Sequence, residues 1–264
     1  MPDTALPAGI AAHILVIDDR PEELRPLLEL LKAKGARLSL ADDPWQGLQR
    51  ALALYPDLIL LDVHMPPMSG FALCRLLREA PATRHIPIIF LGSTVDSEER
   101  LQGLLLGGVD YVLKPRLPAE RLEVLARIGI HLRLTWREPR SQPLKSATPP
   151  DPEQLILHAA MRLIGRSLEQ VPSLAEVAKQ VGTYDKKLTR IFRRHLGMTV
   201  FAWIREERLH KSQELLADSG MGIQDIAALV GFGSACNFTT AFRRRTGLTP
   251  SEYRKRMRNG QQPT

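Results

Sequence analysis

The sequence predicts a doubly wound α/β domain with a parallel sheet, followed by an all-α domain. In the first half, short apolar runs alternate with amphipathic helical segments, as in parallel α/β sheets. A proline-rich stretch follows, and the last third carries one helical pattern twice. The 264 residues leave room for about two domains of ~100–200 residues each.

Four apolar runs in the first half are the clearest strand candidates, and a fifth is weaker. The clear candidates are residues 14–17, 58–61, 86–91 and 111–113, and the weaker one is 36–40. A last helix is expected from Pro118 to about Leu134. Because the strands are parallel, their carboxyl ends face one crevice, where open α/β sheets bind ligands.

Charged residues follow three of these strands. Asp18 and Asp19 come after the first, Asp62 ends the third, and Lys114 ends the last, before Pro115. Converging carboxylates repel unless protons or a cation neutralise them, and oxygen ligands suit Mg²⁺. Such a site suits phosphoryl transfer, with Asp62 as nucleophile and with Mg²⁺ and Lys114 stabilising the phosphoryl oxygens. The alternative is that these are ordinary strand-end residues.

The linker and the charge distribution separate two halves. The segment Arg137–Asp151 contains four prolines, which disfavour helix, and therefore reads as a linker. Residues 1–135 carry 15 Lys/Arg against 17 Asp/Glu, whereas residues 136–264 carry 21 against 12. This asymmetry favours a polyanion as the partner of the second half, with a solvated basic surface as the alternative.

Residues 174–182 recur as residues 223–231, an offset of 49, and each copy ends in a glycine. Each copy has apolar residues at helical spacing, then Gly182 or Gly231 for a left-handed turn, then a second apolar stripe. Two copies are too few for a solenoid and predict two helix-turn-helix units instead. Between them, residues 199–217 contain no Gly or Pro and predict one continuous helix.

The second half resembles the AraC/XylS family of bacterial transcription regulators from Ile156 to Tyr253 and slightly beyond. The motif Asp225-Ile226-Ala227 with Gly231-Phe232, Phe238, Phe242 and Gly247-Leu248-Thr249-Pro250 carries the resemblance. It implies that one helix of each pair enters the major groove of double-stranded DNA. The implied base-facing residues are Lys186, Thr189, Arg190, Asn237 and Thr240, and the implied phosphate-binding residues are Arg193, Arg194, Arg243 and Arg244.

Two positions depart from that family's pattern. Thr240 stands where members often carry Arg, which weakens the expected reading of DNA by the second unit. Tyr184 occupies a helix N-cap position where Ser is usual, and its side chain cannot cap in that way. Asp185 or Thr183 is expected to substitute for it.

The first half is similar to response-regulator receiver domains, which have a flavodoxin-like fold, over about residues 13–135. The matching motifs are 16–19, 61–66 with Gly70, and 110–115. The resemblance implies that a sensor histidine kinase phosphorylates Asp62, and that Tyr111 is a rotating switch. The implied Mg²⁺ ligands are Asp18, Asp19, Asp62 and the backbone carbonyl of His64.

One position departs from the receiver pattern. Gly92 stands where the family has Thr or Ser, so the hydroxyl that contacts the phosphoryl group is missing. This weakens the expected coupling of the phosphoryl group to Tyr111, unless Ser93 supplies a hydroxyl.

The expected domains are an N-terminal tail, a receiver, a linker, a DNA-binding domain and a C-terminal tail. They span residues 1–12, 13–135, 136–151, 152–258 and 259–264, with the two helix-turn-helix units at about 173–195 and 222–245. We expect a cytoplasmic regulator, because Cys74 and Cys236 lie far apart in separate halves, which argues against a disulfide framework and fits a reducing compartment. No apolar run is long enough to predict a membrane span. RNA polymerase and a second copy of the chain are further expected partners.

The leading hypothesis is a non-enzymatic DNA-binding response regulator controlled through Asp62. One alternative keeps DNA binding but makes the receiver independent of phosphate, which Gly92 favours. Another is an aspartate-nucleophile phosphohydrolase, but that chemistry needs a second aspartate at position 64, where His64 stands. A regulator that senses a small molecule lacks support, because the first half shows no β-rich pattern.

Overall fold

The computed structural model of the protein describes residues 12–94, 96–137 and 151–258. Almost all of the expected N-terminal tail and linker, and the whole C-terminal tail, lie outside the described residues. The chain forms two compact units. Within the described ranges, no helix combines the length and apolar character that crossing a membrane requires.

The first unit is built on five parallel strands, as the sequence predicts. They are β1 (His13–Ile17), β2 (Arg37–Ala41), β3 (Leu58–Asp62), β4 (Ile88–Gly92) and β5 (Asp110–Leu113), in the spatial order β2-β1-β3-β4-β5. The weak candidate at 36–40 is therefore a strand, displaced by one residue. Strand β4 begins two residues later than its apolar run, because Pro87 has no N–H to donate to a ladder.

Helices cover both faces of the sheet. A 3-10 turn (Pro21–Leu24) precedes α1 (Arg25–Ala33), and the other helices are α2 (Pro44–Leu54), α3 (Gly70–Glu79), α4 (Ser97–Leu105) and α5 (Pro118–Arg137). Apolar side chains of α1 and α5 share one buried cluster with Ile14 and Val16 of β1. On the opposite face, Phe71 of α3 packs edge-on against Phe90 of β4, with ring centroids 5.2 Å apart.

This architecture is a flavodoxin-like α/β fold and places the carboxyl ends of β1, β3, β4 and β5 at one edge of the sheet. Both faces of the central strands are covered, which explains why β1, β3 and β4 are apolar runs without alternation. The charged residues that follow these strands therefore lie at a single edge.

The second part of the chain is entirely helical in its described residues. Its helices are α6 (Pro152–Gly165), α7 (Leu174–Gln180), α8 (Asp185–Leu196), α9 (Val200–Asp218), α10 (Ile223–Leu229), α11 (Ala235–Thr246) and α12 (Pro250–Arg258). The predicted continuous helix between the repeats is α9, which begins after the N-cap Thr199. The pairs α7–α8 and α10–α11 are the two predicted helix-turn-helix units.

The turn of each unit depends on a glycine with left-handed backbone. Gly182 has a φ of +73° and Gly231 a φ of +84°, a conformation that L side chains adopt only with strain. After the turns, Phe192 of α8 and both Phe238 and Phe242 of α11 are completely buried. Burying these rings leaves the opposite faces of α8 and α11 exposed to solvent.

The two second helices differ in how they begin. Ser234 caps α11, because its hydroxyl accepts a hydrogen bond from the Asn237 N–H at 3.2 Å. Tyr184 precedes α8 with extended backbone and no cap from its side chain, and Asp185 instead accepts from the Lys186 N–H at 2.7 Å. The expectation that Asp185 substitutes is confirmed, whereas the Thr183 hydroxyl has no hydrogen-bond partner among the described residues.

Replacing Tyr184 with Ser is therefore expected to stabilise the helical unit, by about 0.5–1 kcal/mol, because the new hydroxyl can accept from an amide that the first turn leaves unpaired. Chemical denaturation measures the change. The control is Tyr184→Ala, which also removes the exposed ring but supplies no acceptor. Equal stability of the Ser and Ala variants would contradict the explanation.

Candidate functional site

A buried ion-pair cluster lies at the carboxyl edge of the sheet. The Lys114 ammonium is 2.9 Å from Oδ2 of Asp18 and 3.0 Å from Oδ2 of Asp62. Asp18 and Asp62 are buried, and the Lys114 side chain is only 9% exposed. The sequence prediction that these strand-end residues meet is confirmed by these distances.

Asp62 and Lys114 influence each other's ionisation. Burial is the main cause that raises the pKa of Asp62, and the nearby charge of Asp18 adds to it, while a hydrogen bond from Lys114 opposes it. Burial lowers the pKa of Lys114, but its close polar contacts with Asp18 and Asp62, together with the negative charges of both carboxylates, outweigh that effect and raise the pKa overall. Lys114 therefore stays cationic and holds two carboxylates in one small volume.

The same edge has the donor set of a hard-cation site. Carboxylate oxygens of Asp18, Asp19 and Asp62 lie within 4.8 Å of one another. Oδ1 of Asp19 is buried and accepts no hydrogen bond from the described residues, and Nε of Arg20 lies 3.8 Å from it. These three carboxylates, with one buried oxygen that lacks a hydrogen bond, have the chemistry that a bound Mg²⁺ requires. The backbone carbonyl of His64 remains a predicted fourth ligand.

Tyr111 of β5 points into the unit and is buried. Its hydroxyl donates to Oε2 of Glu99 on α4 at 3.0 Å, and Nε2 of His64 lies 3.0 Å from the other carboxylate oxygen. Burial, followed by this hydrogen bond and the Glu99 charge, raises the pKa of Tyr111 well above its usual range. The His64 N–H, in turn, donates to Oδ1 of Asp62 at 3.3 Å.

The space beside Gly92 is occupied by that tyrosine. A Cβ atom at position 92 would overlap the Tyr111 hydroxyl and ring. Ser93, the candidate source of a replacement hydroxyl, is exposed, and no hydrogen bond among the described residues joins it to Asp62. Glu99 was not predicted from the sequence, because only the folded structure brings α4 beside β5.

The predicted DNA-facing residues lie on the outer faces of α8 and α11. On α8 the exposed residues are Lys186, Arg190, Arg193 and Arg194, and on α11 they are Asn237, Thr240, Arg243 and Arg244. Thr189 is half-buried, and its hydroxyl donates to the Asp185 carbonyl at 2.9 Å. Leu188 and Phe238, on the opposite faces, are completely buried.

A groove beside α11 adds a residue that sequence reasoning missed. It has a volume of about 580 Å³ and is lined by Asn237, Thr240 and Arg244 of α11 together with Arg205 of α9. Glu206, also on its wall, pairs with Arg245 at 2.6 Å, so its negative charge is compensated. The helical spacing of α9 alone gave no signal that Arg205 would share a groove with α11.

Family models match both parts of the chain. The family model of the response regulator receiver domain matches residues 14–126, and that of a helix-turn-helix domain matches residues 177–256. The chain therefore contains a response regulator receiver domain and, after it, a helix-turn-helix domain.

The chain is similar to curated proteins over part of their length. The response regulator PleD of Caulobacter vibrioides is 42% identical over 106 residues, which are 40% of this chain and 23% of PleD. The DNA-binding response regulator MtrA of Mycolicibacterium smegmatis is 37% identical over 127 residues, which are 48% of this chain and 53% of MtrA. The chain thus spans about a quarter to a half of these relatives.

Among solved structures, an AraC-type transcriptional regulator from Chromobacterium violaceum is 29% identical to this chain. The match covers 39% of this chain and 93% of that one, with a TM-score of 0.39.

Proposed function

We propose that the protein is a cytoplasmic, DNA-binding transcriptional regulator of a two-component pathway, with Asp62 as the residue that accepts a phosphoryl group from a histidine kinase. The observation that carries the proposal is the pair of helices α8 and α11, each buried on one face and covered with basic or amide side chains on the other. The Lys114–Asp62 cluster in the receiver supports the regulatory part.

In the phosphoryl transfer, a carboxylate oxygen of Asp62 attacks the phosphorus of a phosphohistidine. The new P–O bond forms as the P–N bond breaks, and the departing imidazole nitrogen keeps the electron pair. Lys114, 3.0 Å from Asp62, is placed to compensate charge on the transferred group. Bound Mg²⁺ would supply further charge compensation, held by Asp18, Asp19, Asp62 and the His64 carbonyl.

On DNA, α8 and α11 would enter successive major-groove segments on one face of the duplex, about one turn or ~34 Å apart. The base-reading residues would be Lys186, Thr189, Arg190, Asn237 and Thr240. Arg193, Arg194, Arg243, Arg244 and the newly recognised Arg205 would hold phosphates, which position the protein without reading sequence. A homodimer formed through the receivers would raise the effective concentration of these domains on DNA, and contact with RNA polymerase is the remaining proposed interaction.

Arg190→Ala is expected to weaken binding to the preferred site by about 1–3 kcal/mol and to relax specificity at one base pair, since Arg can form two hydrogen bonds with guanine. Binding measured against duplexes with every base at each position gives both quantities. Lys211→Ala is the matched control, because it also removes one exposed positive charge but lies on α9 and pairs with Glu214 at 2.7 Å. If the two variants lose affinity equally and keep the same specificity, Arg190 is not a base reader.

A receiver that is independent of phosphate is the second candidate, and the position of Tyr111 beside Gly92 favours it. Footprinting on genomic fragments, with and without a small phosphodonor, compares the two candidates when wild type is tested beside Asp62→Asn. Phosphate control predicts a difference that wild type shows and the variant lacks. Identical footprints in all four conditions would remove phosphate control and leave DNA binding intact.

A further inference from the structure

The position of Tyr111 can be traced to three other residues of the receiver. The first is Gly92, at the end of β4. Any side chain at position 92 would overlap the Tyr111 hydroxyl and ring, so the absence of a Cβ atom creates the volume that the phenol fills. Protein interiors are closely packed and tolerate neither a void nor an overlap of that size. The buried position of Tyr111 therefore requires a glycine at position 92.

The second residue is Glu99, which accepts the hydrogen bond of the Tyr111 hydroxyl. A buried tyrosine hydroxyl needs a hydrogen-bond partner, and that of Tyr111 donates to Oε2 of Glu99 at 3.0 Å. A carboxylate acceptor makes this a charge-assisted bond, which is stronger than one between neutral groups. The Glu99 side chain is only 21% exposed, so water competes weakly for it.

The third residue is His64, which orients Glu99. Nε2 of His64 lies 3.0 Å from Oε1 of Glu99, the carboxylate oxygen that Tyr111 does not use. Both oxygens of Glu99 are thereby engaged, which fixes the plane of the carboxylate. His64 is itself anchored through its backbone, since its N–H donates to Oδ1 of Asp62 at 3.3 Å.

The contacts of Tyr111 with Glu99 and of Glu99 with His64 do not include Asp62, and of the contacts described above only the backbone N–H of His64 reaches it. We infer that Gly92, Glu99 and His64 hold Tyr111 inside this receiver whether or not Asp62 is phosphorylated. The inference concerns regulation of the proposed phosphoacceptor site, and it rests on the proposed role of Asp62 only in the comparison of the two phosphorylation states. Phosphorylation then reaches the rest of the receiver by a route other than rotation of Tyr111.

Fluorine NMR of the full chain labelled with 3-fluorotyrosine tests the inference, because the chain has only four tyrosines. Tyr111→Phe identifies the Tyr111 signal. Spectra are recorded with and without phosphoramidate and Mg²⁺, and mass spectrometry measures the phosphoryl group on Asp62. The variants are Gly92→Ala, Glu99→Ala and the control Glu98→Ala, which removes a neighbouring carboxylate of the same helix turn.

We expect the Tyr111 signal of the phosphorylated wild type to coincide with that of the unmodified protein. Gly92→Ala and Glu99→Ala should both move the signal, whereas Glu98→Ala should leave it in place. A signal that moves on phosphorylation of the wild type, or that Glu99→Ala leaves unchanged, overturns the inference.

If Asp62 takes up no phosphoryl group, the proposed role of Asp62 fails instead. The comparison of Glu99→Ala with Glu98→Ala then still decides whether Tyr111 is held as inferred.

Discussion

Replacing Phe242 with Ala is expected to unfold the second helix-turn-helix unit and abolish DNA binding. Phe242 is completely buried, with its ring 5.5 Å from that of Phe238 and 5.3 Å from that of Tyr253. Truncating a buried phenylalanine to alanine costs about 3–5 kcal/mol, because the lost burial is compounded by the cavity left behind. That is a large part of the 5–15 kcal/mol that typically stabilises a folded domain, as a rough guide.

Chemical denaturation and titration with duplex DNA measure the two consequences. Phe201→Ala is the matched control, because it makes the same change on a side chain of α9, in the same compact helical part of the chain, that is 64% exposed. The control should keep both stability and DNA binding close to wild type. Equal losses in the two variants would contradict the assignment of Phe242 to the core that positions α11.

Asp62→Asn is expected to abolish uptake of a phosphoryl group completely. An amide has nearly the same shape as a carboxylate but is not a nucleophile, so the site keeps its volume and loses its reactive oxygen. Intact-mass measurement after incubation with phosphoramidate and Mg²⁺ detects the added group. The wild type should gain one phosphoryl group for each chain.

The control for this substitution is Asp42→Asn, which makes the same change on an exposed residue that directly follows β2 at the same edge of the sheet. It should be phosphorylated as well as the wild type. Phosphorylation of Asp62→Asn to the wild-type level would show that another residue accepts the phosphoryl group. The ion-pair cluster of Lys114 would then need a different explanation.

Much of the fold was predictable because its signals are local. The five strands follow from apolar runs, and the turns at Gly182 and Gly231 follow from the repeated position of glycine after a helical stripe. The meeting of Asp18, Asp62 and Lys114 was predictable too, because a parallel sheet brings the carboxyl ends of its strands together.

The remaining features depend on packing between distant segments. The sequence shows that Gly92 lacks the hydroxyl expected at this position, but it does not show that Tyr111 fills the space left beside Gly92. The partnership of Glu99 with Tyr111 and His64 arises only when α4 lies beside β5. Arg205 likewise joins the groove beside α11 through the crossing of α9 and α11, which no periodicity in α9 reveals.

The central claim is that α8 and α11 of one chain bind two neighbouring major-groove segments. Selection of duplexes from a random library by the full chain at low ionic strength tests it most directly. The account predicts selected sequences with two clusters of preferred bases whose centres are separated by about 10–10.5 base pairs. Failure to retain any duplex, or enrichment of a single cluster that is insensitive to changes in α11, would contradict it.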